Sequence, residues 1–194
     1  LQSFDEQQMT LNLNHWFLKS ELWMMTLRAH LCDDVAVAFR DGDGWVYCQC
    51  GQRHWGLFGA AGLLLIRLDR DKPEVLLQLR AAWVHGGGTW ALPGGALDSH
   101  EDSVLAAARE AHEEAGIDPT QLEFKAIFSA DHGTWKYDTV VAHTYSDAGA
   151  FAANAETDAL HWVPIDEIDS YDLHPGLKAA WPELRTTVES TLTN

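Results

Sequence analysis

The sequence predicts an α/β domain organised around one acidic helix, preceded by an N-terminal extension. Three observations carry this. Strand-length apolar runs occur at 60–68 and 74–80. A segment with helical periodicity and three glutamates follows the turn Pro93-Gly94-Gly95. Further strand-length runs lead to a second helical segment at the end of the chain. Residues 1–55 form the extension, a helix and a hairpin, and 56–194 the main domain.

In the extension, His15–Leu31 has helical spacing, with Leu18, Leu22 and Met25 on one face. That apolar face needs cover, either from the main domain or from a second copy in a homodimer. Val35–Arg40 and Trp45–Cys50 read as two strands around Asp41-Gly42-Asp43-Gly44, a strong turn signal. The hairpin ends in Cys48-x-Cys50-Gly51-x-x-His54. Cysteine and histidine are zinc ligands, and structural zinc takes four. Cys48, Cys50 and His54, with Cys32, could supply them. One residue between cysteines is tighter than the common knuckle spacing, so two half-buried thiols on a hairpin is the competing reading.

In the main domain, Ala60–Leu68 and Glu74–Arg80 are strands, 84–88 a flexible turn, and Thr89–Leu92 a short strand running into the glycine turn. Ser99 with Asp102 three residues later reads as a capping box, which starts the helix near His100. Ala106, Ala107 and Ala108 favour the helix and Gly116 stops it. Leu122–Ala130 and Tyr137–Tyr145 are strands joined by a loop at 131–136, and Ala148–Asn154 is a loop. Leu160–Pro164 is the last strand, 166–168 starts a turn, and His174–Leu192 is a terminal helix broken or begun again at Pro182.

On a helical wheel Val104, Ala108, Ala111 and Ala115 fall on one side, and Glu110, Glu113 and Glu114 on the other. Like charges at these spacings destabilise a helix by about 0.2–0.5 kcal/mol per pair. Ample solvent answers that repulsion, and so does a hard divalent cation such as Mg²⁺, which takes oxygen ligands and bridges to phosphates.

Composition narrows the partners. The formal charge of −16 argues against a nucleic-acid polymer and against an anionic membrane surface. A nucleotide remains a fitting ligand if metal ions supply the local positive charge. Three cysteines do not make a disulfide framework, which suggests a reducing, cytoplasmic setting. No apolar run reaches the roughly 20 residues of a membrane span. The first ten residues do not resemble a signal peptide, and Met9 could be the native start.

The stretch Gly95–Ile117 resembles the signature of the Nudix hydrolase family, G-x5-E-x7-R-E-U-x-E-E-x-G-U with U aliphatic. The matching residues are Gly95, Glu101, Arg109, Glu110, Ala111, Glu113, Glu114, Gly116 and Ile117. The order of elements from 57 to about 190 also resembles the Nudix fold, a mixed β-sheet sandwiched between helices. The resemblance implies hydrolysis of a pyrophosphate linkage in a nucleoside diphosphate derivative, with Mg²⁺ or Mn²⁺ as cofactor. It implies metal ligands at Glu110 and Glu114, with the Gly95 carbonyl beside them. Glu113 is a third ligand or the residue that orients the water, and the general base stays open. Arg109 is an organiser that pairs with Glu101. Glu156, before the last strand, is a further ligand or base, with Asp158 as its competitor.

Substrate contacts are less defined. Trp90, Trp135 and Phe128 could stack a base, and His85 and His132 lie in loops near the expected mouth. His112 should face outward, and His143 reads as structural. The proline that often follows the signature in ADP-ribose hydrolases is missing, as is the motif of the NADH type. Tyr137 is near, but not at, the tyrosine spacing of dinucleoside polyphosphate hydrolases. Elimination favours a nucleoside triphosphate, of the oxidised-guanine house-cleaning type. The alternatives are an ADP-ribose or nucleotide-sugar pyrophosphatase, or a silent Nudix-derived ligand sensor. An intact signature favours the enzyme.

Overall fold

The structure is a computed structural model that describes residues 40–193. The helix expected over His15–Leu31, the strand at 35–39 and Cys32 lie outside the described residues.

The core begins with Ala60–Arg67 (β3), whose sequence AAGLLLIR is apolar at nearly every position. Such a run suits a strand covered on both faces. Its side chains divide by pleat: Leu63 and Leu65 enter one cluster, Leu64 and Ile66 the other. Glu74–Arg80 (β4) and Lys136–Thr144 (β8) repeat the division. Leu76, Val140 and Ala142 join the first cluster; Val75, Leu77 and Val141 join the second.

The sheet has seven strands, with main order β5-β4-β3-β8-β7. Here β5 is Trp90–Ala91, β6 Gly94–Ala96, β7 Glu123–Asp131 and β9 Thr157–Pro164. Strands β3 and β8 run parallel, Ala60 opposite Tyr137 through Arg67 opposite Thr144. The remaining pairs are antiparallel, including β6 on the start of β3 and β9 along β4. The sheet is therefore mixed. Helix α1 (Ser103–Ala115) covers the first cluster through Ala106, Ala107, Ala111 and Ala115. Helix α2 (Pro175–Leu192) covers the second through Trp181, Leu184 and Val188. Alanines on α1 let its backbone approach the sheet closely, which places its polar face near the β6 turn.

Three sequence expectations need correction. Helix α1 is capped by Asp102, not Ser99: Asp102 Oδ1 accepts from the backbone N–H groups of Val104 and Leu105 at 3.0 and 2.9 Å. Ser99 is held instead by Asp41, which accepts from its backbone N–H and its hydroxyl. Second, α2 is continuous through Pro182. Pro182 and Lys178, whose carbonyl loses its helical donor, are both exposed, so water can satisfy that carbonyl. Trp181 and Leu184 anchor the helix on either side.

Third, the strand expected at Trp45–Cys50 is shorter. Trp45–Tyr47 (β1) pairs antiparallel with Arg53–Trp55 (β2), and 48–52 form the turn between them. Backbone bonds from Gly51 N–H to Cys48 O and from Cys48 N–H to Gln52 O close that turn.

Candidate active site

Helix α1 ends in an αL cap. Gly116, at φ 64°, donates to His112 O, and Ile117 donates to Ala111 O. The helix start is pinned to the sheet by Asp138 on β8, which accepts from the hydroxyls of Ser103 and Ser129 and from Lys136 Nζ. With both ends fixed, the positions of Glu110, Glu113 and Glu114 follow from helical geometry.

Arg109 joins the helix to the preceding turn. Its Nε and Nη2 donate to the two oxygens of Glu101 at 2.6 and 2.8 Å, and Nη2 also donates to Ala96 O at 3.0 Å. Glu101 in turn accepts from the Asp98 N–H at 3.1 Å. Burial opposes the charge on Glu101, yet the Arg109 hydrogen bonds hold its carboxyl below the usual range. Arg109 Nη1 also reaches Glu110 Oε1 at 2.6 Å. A lysine could not make this set of contacts, because it lacks the planar fork.

Glu110 and Glu114 are both buried, and both lie against the glycine turn. A Cβ on Gly95 would sit 2.5 Å from Glu110 Oε1, so only glycine admits the carboxylate there. Glu114 Oε2 accepts from the Gly94 N–H at 2.9 Å. Burial and then the neighbouring Glu110 charge push the Glu114 carboxyl up to about 7, against the pull of the Gly94 N–H. Burial likewise raises Glu110, opposed by Arg109 and Arg40. Glu113 is only half-buried, and pairs with Arg40 and, at 3.7 Å, with Arg109. The arginines thus hold both Glu113 and Glu110, while Glu114 is bonded to the glycine turn.

Glu114, buried and pushed up by the neighbouring Glu110 charge, has no arginine ion-paired to it among the described residues, unlike Glu110, and would gain from a cation. The donors of both carboxylates, with the Gly95 carbonyl, are all hard oxygens, which fits Mg²⁺ or Mn²⁺. Glu156 is close enough for its charge to push Glu114 further up. Its loop is tied down by Glu114 itself, whose carbonyl accepts from Ala153 N–H and Thr157 Oγ1, both at 3.0 Å. Asp158, the competitor, is exposed on β9.

A cavity of about 290 Å³ includes Gly94 and Gly95 in its lining. Its walls carry Trp45, Trp55, Trp135 and Tyr137, with Arg53, Arg80, His85, His132 and His174. Trp135 and His85 thus lie where the sequence expected substrate. Trp90 is not part of this wall; it packs on His161 and Tyr171, with ring centroids 4.4 and 5.2 Å away. Phe128 packs against the second core cluster. His112 is exposed, and His143 is buried against Thr191 Oγ1 at 3.0 Å.

Trp45, Arg53 and Trp55 were missed as cavity residues because their hairpin reads as a separate extension. Arg80 was missed because it ends a strand with no motif attached. The available signal was composition: two tryptophans and an arginine within one short hairpin, more than a hairpin needs for its own stability.

Comparison with known proteins identifies the family. The NUDIX domain family matches residues 57–184, and the chain belongs to the Nudix hydrolases. A Mycobacterium tuberculosis protein named "Putative 8-oxo-dGTP diphosphatase 3" is 47% identical over 156 residues, 75% of this chain and 70% of that protein. A Bifidobacterium longum "Nucleoside triphosphate pyrophosphatase/Nudix hydrolase fusion protein" is 40% identical over 173 residues, 85% of this chain but 35% of the fusion. The crystal structure of the M. smegmatis Nudix hydrolase RenU superposes with a TM-score of 0.71 at 43% identity, covering 77% of this chain and 96% of RenU. The protein is a Nudix pyrophosphohydrolase, from a family whose members generally use divalent metals such as Mg²⁺ and whose relatives act on small nucleotides. None of its described helices is long and apolar enough to cross a membrane.

Proposed function

We infer that this enzyme hydrolyses the pyrophosphate linkage of a nucleoside triphosphate, with an oxidised purine nucleotide such as 8-oxo-dGTP as the favoured substrate. The observation that carries the reading is the shared glycine turn. Gly94 and Gly95 lie against Glu114 and Glu110 and also line an aromatic cavity. A base lodged among Trp45, Trp55 and Trp135 directs its phosphates toward the carboxylates. The names of the M. tuberculosis and B. longum relatives support a nucleoside triphosphate.

Glu110 and Glu114, with Glu113 and the Gly95 carbonyl, would hold Mg²⁺. An ion held there would supply positive charge to the phosphates and acidify water for the attack. The chain's own residues set the rest. Arg109 and Glu101 keep the glycine turn fixed on the helix. Arg80, on the cavity wall, offers a cation to a phosphate oxygen. The tryptophans stack the base, a contact worth about 1–3 kcal/mol per base in single-strand binders. Glu113, if it is not the third ligand, and Glu156 are the candidates to orient the water or accept its proton, one on the helix and one on the loop tied to it.

The test is a panel of 8-oxo-dGTP, dGTP, ATP, ADP-ribose and a nucleotide sugar, assayed with Mg²⁺ and resolved by product. The expected result is 8-oxo-dGTP cleaved to a nucleoside monophosphate and pyrophosphate, with kcat/KM at least tenfold above dGTP. A preference for ADP-ribose or the nucleotide sugar would reject the triphosphate reading and leave the fold assignment intact.

A further inference from the structure

The hairpin turn carries a second cluster of ligand-capable side chains, away from the helix carboxylates. Among the described residues, two groups of three such side chains have their ligand atoms within 4.8 Å of one another: Cys48, Cys50 and His54, and Asp98, His100 and Glu101. The second group is already engaged. Glu101 gives both oxygens to Arg109, and Asp98 Oδ1 accepts from the Gly42 N–H at 2.9 Å. In the first group the contacts of Cys50 stay within the group: Cys50 Sγ lies 3.1 Å from His54 Nε2, and Cys50 also hydrogen-bonds Cys48.

The turn explains how Cys-x-Cys, too tight for a knuckle in extended chain, becomes workable. Cys48 closes the turn at its base, through Gly51 N–H to Cys48 O and Cys48 N–H to Gln52 O. Cys50 stands at the apex. The strand pairing of Val46 with His54 sets the imidazole two residues along from Cys48, and its ring nitrogen reaches the thiols. Zinc bonds of about 2.3 Å to sulfur and about 2.0 Å to nitrogen place tetrahedral ligands roughly 3.3–3.8 Å apart. The observed grouping needs only small side-chain movement to meet that.

A candidate fourth ligand stands on a different element, outside the group of three whose ligand atoms lie within 4.8 Å of one another, and its ring must rotate to join them. His132, in the turn between β7 and β8, has its ring centroid 4.6 Å from that of His54. Its carbonyl accepts from Cys48 Sγ at 3.0 Å, and Thr134 Oγ1 lies 3.5 Å from the same sulfur. The two turns are therefore already in register.

We propose that Cys48, Cys50, His54 and His132 bind one zinc ion that clamps the β1–β2 hairpin to the β7–β8 turn. The consequence reaches the substrate cavity. His54 stacks on Trp135 at 4.2 Å with rings 7° from parallel, and His54, His132 and Trp135 all line the cavity. The ion holds one aromatic wall in place and takes no part in the hydrolysis.

The test uses the full 194-residue chain. It is purified from zinc-supplemented medium, dialysed against excess Mg²⁺, and its metal content is measured. About one zinc per chain is expected. Cys50→Ser and His54→Ala should each lose at least tenfold of that occupancy, His132→Ala should release zinc to a chelator at least tenfold faster, and Glu114→Gln should keep it. Cobalt replacing zinc should give near-ultraviolet thiolate charge-transfer bands and the visible bands of a tetrahedral ion. Cys50 is exposed, so its serine variant is expected to keep the parent's far-ultraviolet circular dichroism. Zinc-free wild-type protein that takes up cobalt without thiolate bands would overturn the proposal. So would zinc retained by Cys50→Ser and lost by Glu114→Gln.

Discussion

Glu114 concentrates the residue-level physics. Its carboxyl is buried beside Glu110, and its pKa rises from the ordinary 4.5 to about 7 in the metal-free protein. The folded chain therefore binds a proton that the unfolded chain releases. The stability tied to that proton is fully present below about pH 4.5 and is lost as pH rises through 7. A divalent ion competes for the same oxygens, so its affinity should climb with pH by up to about tenfold per unit and level off above 7. The thermal stabilisation by Mg²⁺ should be larger at pH 8 than at pH 5.5, and Glu114→Gln should flatten the difference. An equal Mg²⁺ shift at both pH values in the parent protein would contradict the assignment of Glu114 as a ligand. Arg40 and Arg109 moderate the same charges, since both reach Glu110 and Glu113.

At the scale of elements, helix α1 works because both its ends are held. Asp102 satisfies two of the free N–H groups at its start, so Asp102→Ala should cost about 1 kcal/mol, read as a lower urea midpoint with an unchanged slope. Ser99→Ala should cost less, since Ser99 bonds Asp41 at the exposed surface. A larger loss for Ser99 than for Asp102 would return the cap to the position that spacing alone suggests. The sequence showed that a capped helix must begin here, because Ser, Asp and a glycine stop bracket an alanine-rich run. It could not separate two capping residues three apart; that choice depends on Asp41, 58 positions earlier than Ser99. Pro182 is a similar case. Local propensity demands a break, but Trp181 and Leu184 hold the helix on the sheet and the lost donor faces water.

At the scale of the molecule, the layer order was legible and the cavity was not. Apolar runs covered on both faces announce a sheet between helices, and the spacing of Gly95, Glu101, Arg109 and the glutamates identifies the family. Those are local patterns, each contained within one element and its turns. The cavity wall is assembled from β1, β2, the 84–88 turn, the β7–β8 turn and α2, segments that no spacing rule joins. Trp135 and His85 could be picked out because they sit in loops, while Trp45 and Trp55 were assigned to an extension. Trp90 shows the converse error of emphasis: next to the glycine turn in sequence, it is turned onto His161 and Tyr171.

The central claim is that Glu110 and Glu114, set against one glycine turn, hold a divalent ion on which pyrophosphate cleavage depends. The most direct measurement is the rate of 8-oxo-dGTP hydrolysis against Mg²⁺ concentration for the parent protein and for Glu114→Gln, with circular dichroism confirming that both are folded. Losing a ligand should remove several kcal/mol of transition-state stabilisation, a fall in kcat/KM on the order of 10²–10³-fold that added Mg²⁺ recovers only in part. An unchanged rate in the variant, or full activity of the parent protein after Mg²⁺ and other divalent ions are chelated, would contradict the account.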